Sequence, residues 1–284
     1  MCAARRLVLH ADDFGMCHSV NRATIEAFEN GWITSASVMT PCPWFSEAAA
    51  FAAVHPEADL GVHLTLNCEW RTFRWGPVAS RSMVPSLLDS AGYFPPLASE
   101  IAATALACEI DVELRAQVDK AREAGIAISH LDSHMLTLFA SHELFATYAA
   151  LGLRYGVPVR VGAAPDLETA LLSADAPLVK DFCEVDPSLA PDRWIDGYME
   201  MLAALGDGSY QLTVHLGFDD DELRGVTDGQ APWGAAWRQR DFDLVRSERF
   251  RRFLEEQGFE LVSWRELGGA APTPHSHDPA LTLA

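Results

Sequence analysis

Leu7-Val8-Leu9-His10-Ala11-Asp12-Asp13-Phe14-Gly15 is a short apolar run that stops at two adjacent acids. Such a run, bounded by polar residues and glycine, predicts a buried strand over Leu7 to Ala11. Val20 to Asn30 follows, with Ala23, Ile25, Ala27 and Phe28 inside a helical pattern that Gly31 closes. The acids therefore stand where a strand hands over to a helix.

The unit then repeats. Ile33 to Met39 is a β-rich stretch broken by Pro41-Cys42-Pro43, and Ser46 to Val54 is an alanine-rich helix. Leu60 to Leu66 reads as a third strand containing His63. Asn67 to Pro96 is long and irregular, with Trp70, Phe73, Trp75, Tyr93 and Phe94, and loops of this length commonly carry function. Ser99 to Gly125 reads as one helix, with Ile101, Ala105, Ile110, Leu114, Val118 and Ala121 recurring at helical spacing, and Ile126 to Asp132 as a fourth strand running into Ser133-His134. Further on, Glu143 to Tyr155 and Tyr198 to Leu205 read as helices, and Val157 to Val161 and Tyr210 to Leu216 as strands. Phe242 to Gln257 reads as a last long helix and Phe259 to Ser263 as a strand, while Gly162 to Asp192 carries no decisive pattern.

Strands alternating with helices predict an α/β protein with a parallel sheet. About seven units suit a single-domain TIM-barrel-like (β/α) barrel with fewer or irregular strands, and a doubly wound open sheet is the alternative. With no repeat and no shift of composition, one catalytic domain is expected over residues 1–270, and a frayed Pro/His-rich tail over 271–284.

Composition narrows the class. The chain has 284 residues, 49% of them apolar, and 40 acids against 21 bases give a net charge of −19. That field repels phosphate backbones and anionic lipid, so neither nucleic acid nor a membrane surface is an expected partner. The first residues pass from two arginines straight into a strand, without the apolar core of a signal peptide, and a cytoplasmic location is expected. The six cysteines are scattered without CxxC spacing, as reduced thiols are.

Both sheet architectures put the active site at the carboxyl ends of the strands. Asp12 and Asp13 lie there, as do His63, Asp132 with His134, and His215. Taken singly, an Asp-Asp pair is commonly a helix cap and a strand histidine commonly a packed core residue. Their joint placement at one end of successive strands points instead to a site. One carboxylate and two imidazoles suit a catalytic divalent ion, which Asp13, His63 and His134 can supply, leaving Asp12 as a base beside the metal-bound water.

The segments Ala11-Asp12-Asp13-Phe14-Gly15, Gly61-Val62-His63-Leu64-Thr65-Leu66, His130-Leu131-Asp132-Ser133-His134 and Val214-His215-Leu216-Gly217, in that order, resemble the YdjC/ChbG-like carbohydrate deacetylase family. The late Trp264-Arg265-Glu266-Leu267 and the Gly76-Pro77 to Tyr93 loop extend the likeness over nearly the whole chain. The resemblance implies a TIM-barrel-like hydrolase that removes acetyl groups from N-acetylated amino sugars with one divalent ion, zinc or magnesium. It implies Asp13, His63 and His134 as ligands, Asp12 as general base and His215 as general acid. One departure stands out: after Asp-Ser-His, where many members have further histidines, this chain has Met135-Leu136-Thr137-Leu138.

Supporting roles are expected for Asp132, as a helper of His215, and for His130, as a partner of a ligand or a packed residue. Phe14 is a further supporting or substrate-facing candidate, while Trp75, with Trp70, Phe73, Tyr93 and Phe94, either stacks on a sugar face or pins the long loop as its own hydrophobic cluster. A lactam or other amide hydrolase, a sugar isomerase and a non-catalytic sugar-binding protein are the competing readings; an isomerase would need a second metal site or a lysine, and only Lys120 and Lys180 exist. Trp233 and Trp237 with Arg238 and Arg240 read as packing or a subunit contact, hinting at a homodimer. Asp219 to Glu222 reads as a solvated loop.

Overall fold

A computed structural model describes residues 5–161, 181–183, 189–230 and 232–268. In chain order these form β1 (Arg5–Phe14), α1 (His18–Glu29), β2 (Ser35–Val38), α2 (Phe45–Val54), β3 (Leu60–Leu64), α3 (Ala98–Thr104), α4 (Ala107–Glu123), β4 (Ile128–Ser133), α5 (His142–Tyr155), β5 (Asp181–Cys183), α6 (Trp194–Ala203), β6 (Gly208–Val214), α7 (Asp221–Val226), α8 (Ala235–Arg246), α9 (Glu248–Glu256), β7 (Phe259–Leu261) and α10 (Trp264–Leu267). All the paired strands are parallel, in the order β4-β3-β2-β1-β6-β5, with β7 also beside the start of β1. Val159 adds a bridge to Leu131 on the outer side of β4, where a further strand had been expected. No pairing links the β4 side to β5 among the described residues, so the α/β parallel sheet is present but a closed TIM barrel is not formed by them.

The two faces of the sheet differ in kind. Successive side chains of a strand point to opposite faces. Leu7, Leu9 and Ala11 of β1, Ala36 and Val38 of β2, Val62 of β3 and Leu212 of β6 join the helices in one buried apolar cluster. The opposite parity carries His10, Asp12, Ser35, Ser37, Gly61, His63, His130, Asp132, Gln211 and Thr213, all buried apart from glycine's missing side chain. Polar groups taken out of water must find partners, and several of these do so across strands, with His10 joined to Ser35, Ser37 and Asp132 and His63 to Ser37 and Asp132. Trp264 of α10 closes the bottom of this face: its indole N–H donates to Gln211 Oε1 at 3.0 Å, and its ring stacks on His130 at 4.9 Å.

Several expected boundaries shift for local reasons. The helix expected over Ser99 to Gly125 breaks at Ala105 and Leu106, where the Leu106 N–H donates to Ser86 Oγ of the long loop instead of continuing the helix. The helix expected over Phe242 to Gln257 starts earlier, at Ala235, and is interrupted by Ser247, whose hydroxyl accepts from the Phe250 N–H as the N-cap of α9. Asp219 to Glu222 is more than a solvated loop. Asp220 caps α7, and Glu222 accepts the first N–H groups of α1, from His18 and Ser19. Cys17, Cys42 and Cys68 are buried free thiols, whereas the free thiol of Cys108 is exposed. The tail 271–284 and most of Gly162 to Asp192 lie outside the described residues.

Candidate metal centre

The expected site begins with a distortion of β1. The strand runs past Ala11 through Asp12 and Asp13 to Phe14, and its register against β2 slips between Ala11 and Phe14. Asp13 takes up the slip with φ of 70°, a left-handed backbone that costs an aspartate about 1 kcal/mol or more and is typical of functional sites. Gly15 follows with φ of +99°, where a Cβ would lie 3.3 Å from the Phe45 backbone. The slip lets the side chains of Asp12 and Asp13 both reach the centre.

β3 brings His63 into register with Asp132 of β4, and His134 follows at the end of β4. Asp13 Oδ1 lies 3.4 Å from His63 Nε2 and 3.3 Å from His134 Nδ1, and the two nitrogens are 3.3 Å apart. A tetrahedral ion bonded at about 2.0–2.1 Å spaces its ligands by about 3.3–3.4 Å, so the triangle fits zinc-like coordination with a position left open. All three residues are buried, and Asp13 Oδ1 accepts no hydrogen bond among the described residues.

The surroundings orient each ligand. The Asp132 carboxylate accepts from His63 Nδ1 at 2.8 Å, which leaves Nε2 with its lone pair toward the triangle. Glu69 Oε2 lies 2.9 Å from His134 Nε2 and does the same for Nδ1. Trp75 packs edge-on to the His134 ring at 5.9 Å and donates its indole N–H to the Asn67 carbonyl. Arg238 donates to the other oxygen of Asp13 at 2.6 Å, both residues being buried.

Electrostatics follows. Burial would raise the Asp13 carboxyl, but Arg238, His134 and His215 hold it well below the usual range. Burial also opposes charge on His134, yet Glu69 and Asp13 push it up to about 10. Asp132 and Asp12 act in the same direction on His63 against its burial. The clustered carboxylates thus hold positive charge at the triangle, as protons on the two imidazoles or as a cation.

Asp12 stands next to this group. Its Oδ2 lies 3.8 Å from His63 Nε2 and 3.8 Å from His215 Nε2. His215 follows β6 directly, one residue beyond Val214, which pairs with Ala11 of β1, and its side chain is 14% exposed. Asp241 of α8 fixes the backbone there: its Oδ2 accepts the His215 N–H at 2.9 Å, and its carboxylate also accepts from Trp194, Tyr198 and Trp237.

The structure therefore brings together Asp12, Asp13, His63, His134 and His215. The supporting residues take partners that differ in part from those expected. Asp132 serves His63 and Ser37, and Asp241, not Asp132, holds the His215 backbone. His130 touches none of the three triangle residues; it packs between His10 and Trp264. Phe14 is fully buried against Phe51, and Trp75 is 2% exposed, so neither offers a ring face to a sugar. Trp70, Phe94 and Trp237 are buried as well, while Phe73, Tyr93 and Trp233 are partly exposed.

Glu69, Arg238 and Asp241 were not singled out as site residues from sequence. Glu69 hides in the irregular loop, and Arg238 and Asp241 lie on a helix whose pattern gives no sign of which face meets β1. Each acts through a partner dozens to hundreds of positions away.

Known proteins resemble this chain over most of its length. The family model described as YdjC-like protein matches residues 6–256. A protein named carbohydrate deacetylase from Geobacillus stearothermophilus is 35% identical over 269 residues, covering 92% of this chain and 98% of its own. One of the same name from Thermus thermophilus is 31% identical, with 92% and 93% covered. A crystal structure from Enterococcus faecalis, of a protein given a provisional role in cellobiose-phosphate cleavage, superposes with a TM-score of 0.79 at 26% identity, covering 93% of this chain and 99% of that one. The chain belongs to the YdjC-like family.

Proposed function

We propose that this protein is a divalent-metal-dependent hydrolase that removes the acetyl group from an N-acetylated amino sugar. The observation that carries the reading is the buried triangle of Asp13 Oδ1, His63 Nε2 and His134 Nδ1 with the Asp12 carboxylate beside it. The names of the Geobacillus and Thermus relatives support the substrate class.

Asp13, His63 and His134 would hold the ion, and the donor set of one carboxylate and two imidazoles suits zinc and related metals. When bound, the ion polarises the amide carbonyl and acidifies a water molecule. Asp12 Oδ2 takes the proton of the attacking water as general base. Arg238 keeps Asp13 ionised and fixed through its second oxygen. His215 Nε2, across from Asp12, delivers a proton to the sugar nitrogen as the C–N bond breaks, so that acetate and a free amine leave. Asp241 sets the backbone from which His215 projects. Burial of the centre strengthens each of these interactions relative to water.

An isomerase acting through lysine is less well supported. Lys120 donates to the Thr40 carbonyl and lies over the Phe45 ring, away from the triangle, and Lys180 lies outside the described residues.

The test is acetate release from a panel of free and oligomeric N-acetyl sugars by zinc- or magnesium-loaded protein, beside an Asp12→Asn variant. The expected result is turnover by the wild type and a loss of about 100-fold or more in the variant with metal content unchanged. Stoichiometric metal without acetate from any sugar would refute the substrate class, and failure to bind metal would refute the ligand set.

A further inference from the structure

The inner face of the sheet holds a second polar group, centred on His10, which the reaction outlined above does not use. The His10 ring is fully buried. It faces Asp12 on its own strand, Ser35 and Ser37 on β2, and His130 and Asp132 on β4, and it reaches Asp59 through Ser35.

Hydrogen positions follow from counting donors. Asp59 only accepts: its Oδ1 takes the hydroxyls of Ser35 at 2.7 Å and Ser129 at 3.0 Å, and its Oδ2 takes the Arg265 N–H at 3.0 Å. A serine hydroxyl has one proton. With that proton given to Asp59, Ser35 Oγ can only accept from His10 Nδ1 at 3.0 Å, so Nδ1 carries a hydrogen. On the other side, His10 Nε2 lies 3.1 Å from Asp132 Oδ2 and 3.2 Å from Asp12 Oδ1. Ser37, 3.2 Å from Nε2, gives its proton to Asp132 Oδ2 at 2.8 Å. Nothing there donates to Nε2, and a bare lone pair would face two carboxylate oxygens. Nε2 therefore carries a hydrogen as well.

His130 supplies the contrast. Ser129 likewise spends its proton on Asp59, so His130 Nδ1 donates to Ser129 Oγ at 2.8 Å, but its Nε2 has no hydrogen-bond partner among the described residues. That ring stays neutral, pulled down to about 3 by its burial and by the charge of His10.

We propose that His10 is a resident imidazolium and a positioning residue for Asp12: its Nε2–H donates to Asp132 Oδ2, and its charge pairs at 3.2 Å with Asp12 Oδ1, the oxygen opposite the Oδ2 that faces His63 and His215. The positioning role rests on Asp12 being the base; the charge on His10 does not. Burial opposes the charge, but Asp12 and Asp132 outweigh it and raise His10 to about 9. The same groups explain why His10, His130 and Asp132, though close enough to share an ion, are not a second metal site. Both His10 nitrogens are donors and present no lone pair.

The direct test is side-chain nitrogen NMR of histidine-labelled, zinc-loaded protein, with the His10 signals assigned by their absence in His10→Gln. Two protonated nitrogens that do not titrate between about pH 5.5 and 8 are expected. A neutral ring, a midpoint below 7, or a second equivalent of zinc that converts His10 to a metal-bound ring would overturn the proposal. The second readout separates kcat from KM in His10→Gln, which removes the charge facing Asp12 Oδ1. A fall in kcat of about tenfold or more at unchanged KM and zinc content is expected. An unchanged kcat, or a fall that only tracks lost folded or zinc-loaded protein, would overturn the positioning role. A wild type that deacetylates no sugar counts against Asp12 as base, and the nitrogen shifts still decide the charge of His10.

Discussion

Replacing Arg238 with methionine keeps the length of the buried side chain and removes its charge. Arg238 and Asp13 are each 1% exposed, and the guanidinium reaches Asp13 Oδ2 at 2.6 Å while its Nε donates to the Trp233 carbonyl. Removing one partner of a buried pair leaves the other charge without compensation, a loss of about 3–5 kcal/mol. Out of a typical total of about 5–15 kcal/mol, such a loss leaves a protein that still folds but unfolds at markedly lower urea. A divalent ion at the triangle compensates Asp13 from its other oxygen. The deficit should therefore shrink in zinc-loaded protein by at least about 1.4 kcal/mol, equivalent to zinc binding tenfold more tightly to the variant than to the wild type. Urea unfolding of both proteins, with chelator and with zinc, together with a competition titration of zinc, measures both quantities. A loss below about 1 kcal/mol, or an equal loss with and without zinc, would refute the reasoning.

Gly61→Ala places a Cβ 2.5 Å from the His130 ring, which is held between His10 and Trp264; a loss of about 1–3 kcal/mol or more is expected in the same unfolding assay, and a neutral substitution would mean that the inner face is looser than drawn. The neutral state of His130 predicts a pH effect. Its folded value of about 3 against 6.5 unfolded means that below pH 6.5 the unfolded chain binds a proton that the native chain refuses. Stability should then fall by up to about 1.4 kcal/mol per pH unit between pH 6.5 and 3, and this component should vanish in His130→Gln, as urea midpoints against pH will show. Parallel curves for the two proteins would contradict it.

Legibility in the sequence followed the range of the interactions. Strand ends, helix caps and the residues placed on them are local, and so Asp12, Asp13, His63, His134 and His215 could be lined up at one end of successive strands before any coordinates. The turn signals at Gly15 and Gly31 worked for the same reason. The aromatic loop left two readings open because Trp70 and Trp75 have the same composition whether they face a sugar or the core; only their burial separates the two. Ser247 is a local cap signal, but the apolar pattern runs on across it and hides the break between the two helices.

What the sequence determined by itself is a parallel α/β chain with a carboxylate and imidazole set at the carboxyl ends of its strands, since strand periodicity and segment order are properties of neighbouring residues. The tertiary structure alone decided the partners that give those groups their charge and aim: Arg238 on Asp13, Glu69 on His134, Asp132 on His63 and Asp241 on the His215 backbone. It also decided that the described strands leave the sheet unclosed. These pairings span from 26 to 225 positions along the chain, and they arise from strand register and helix docking. Those are set by packing the whole core at once and leave no trace in any local run of residues.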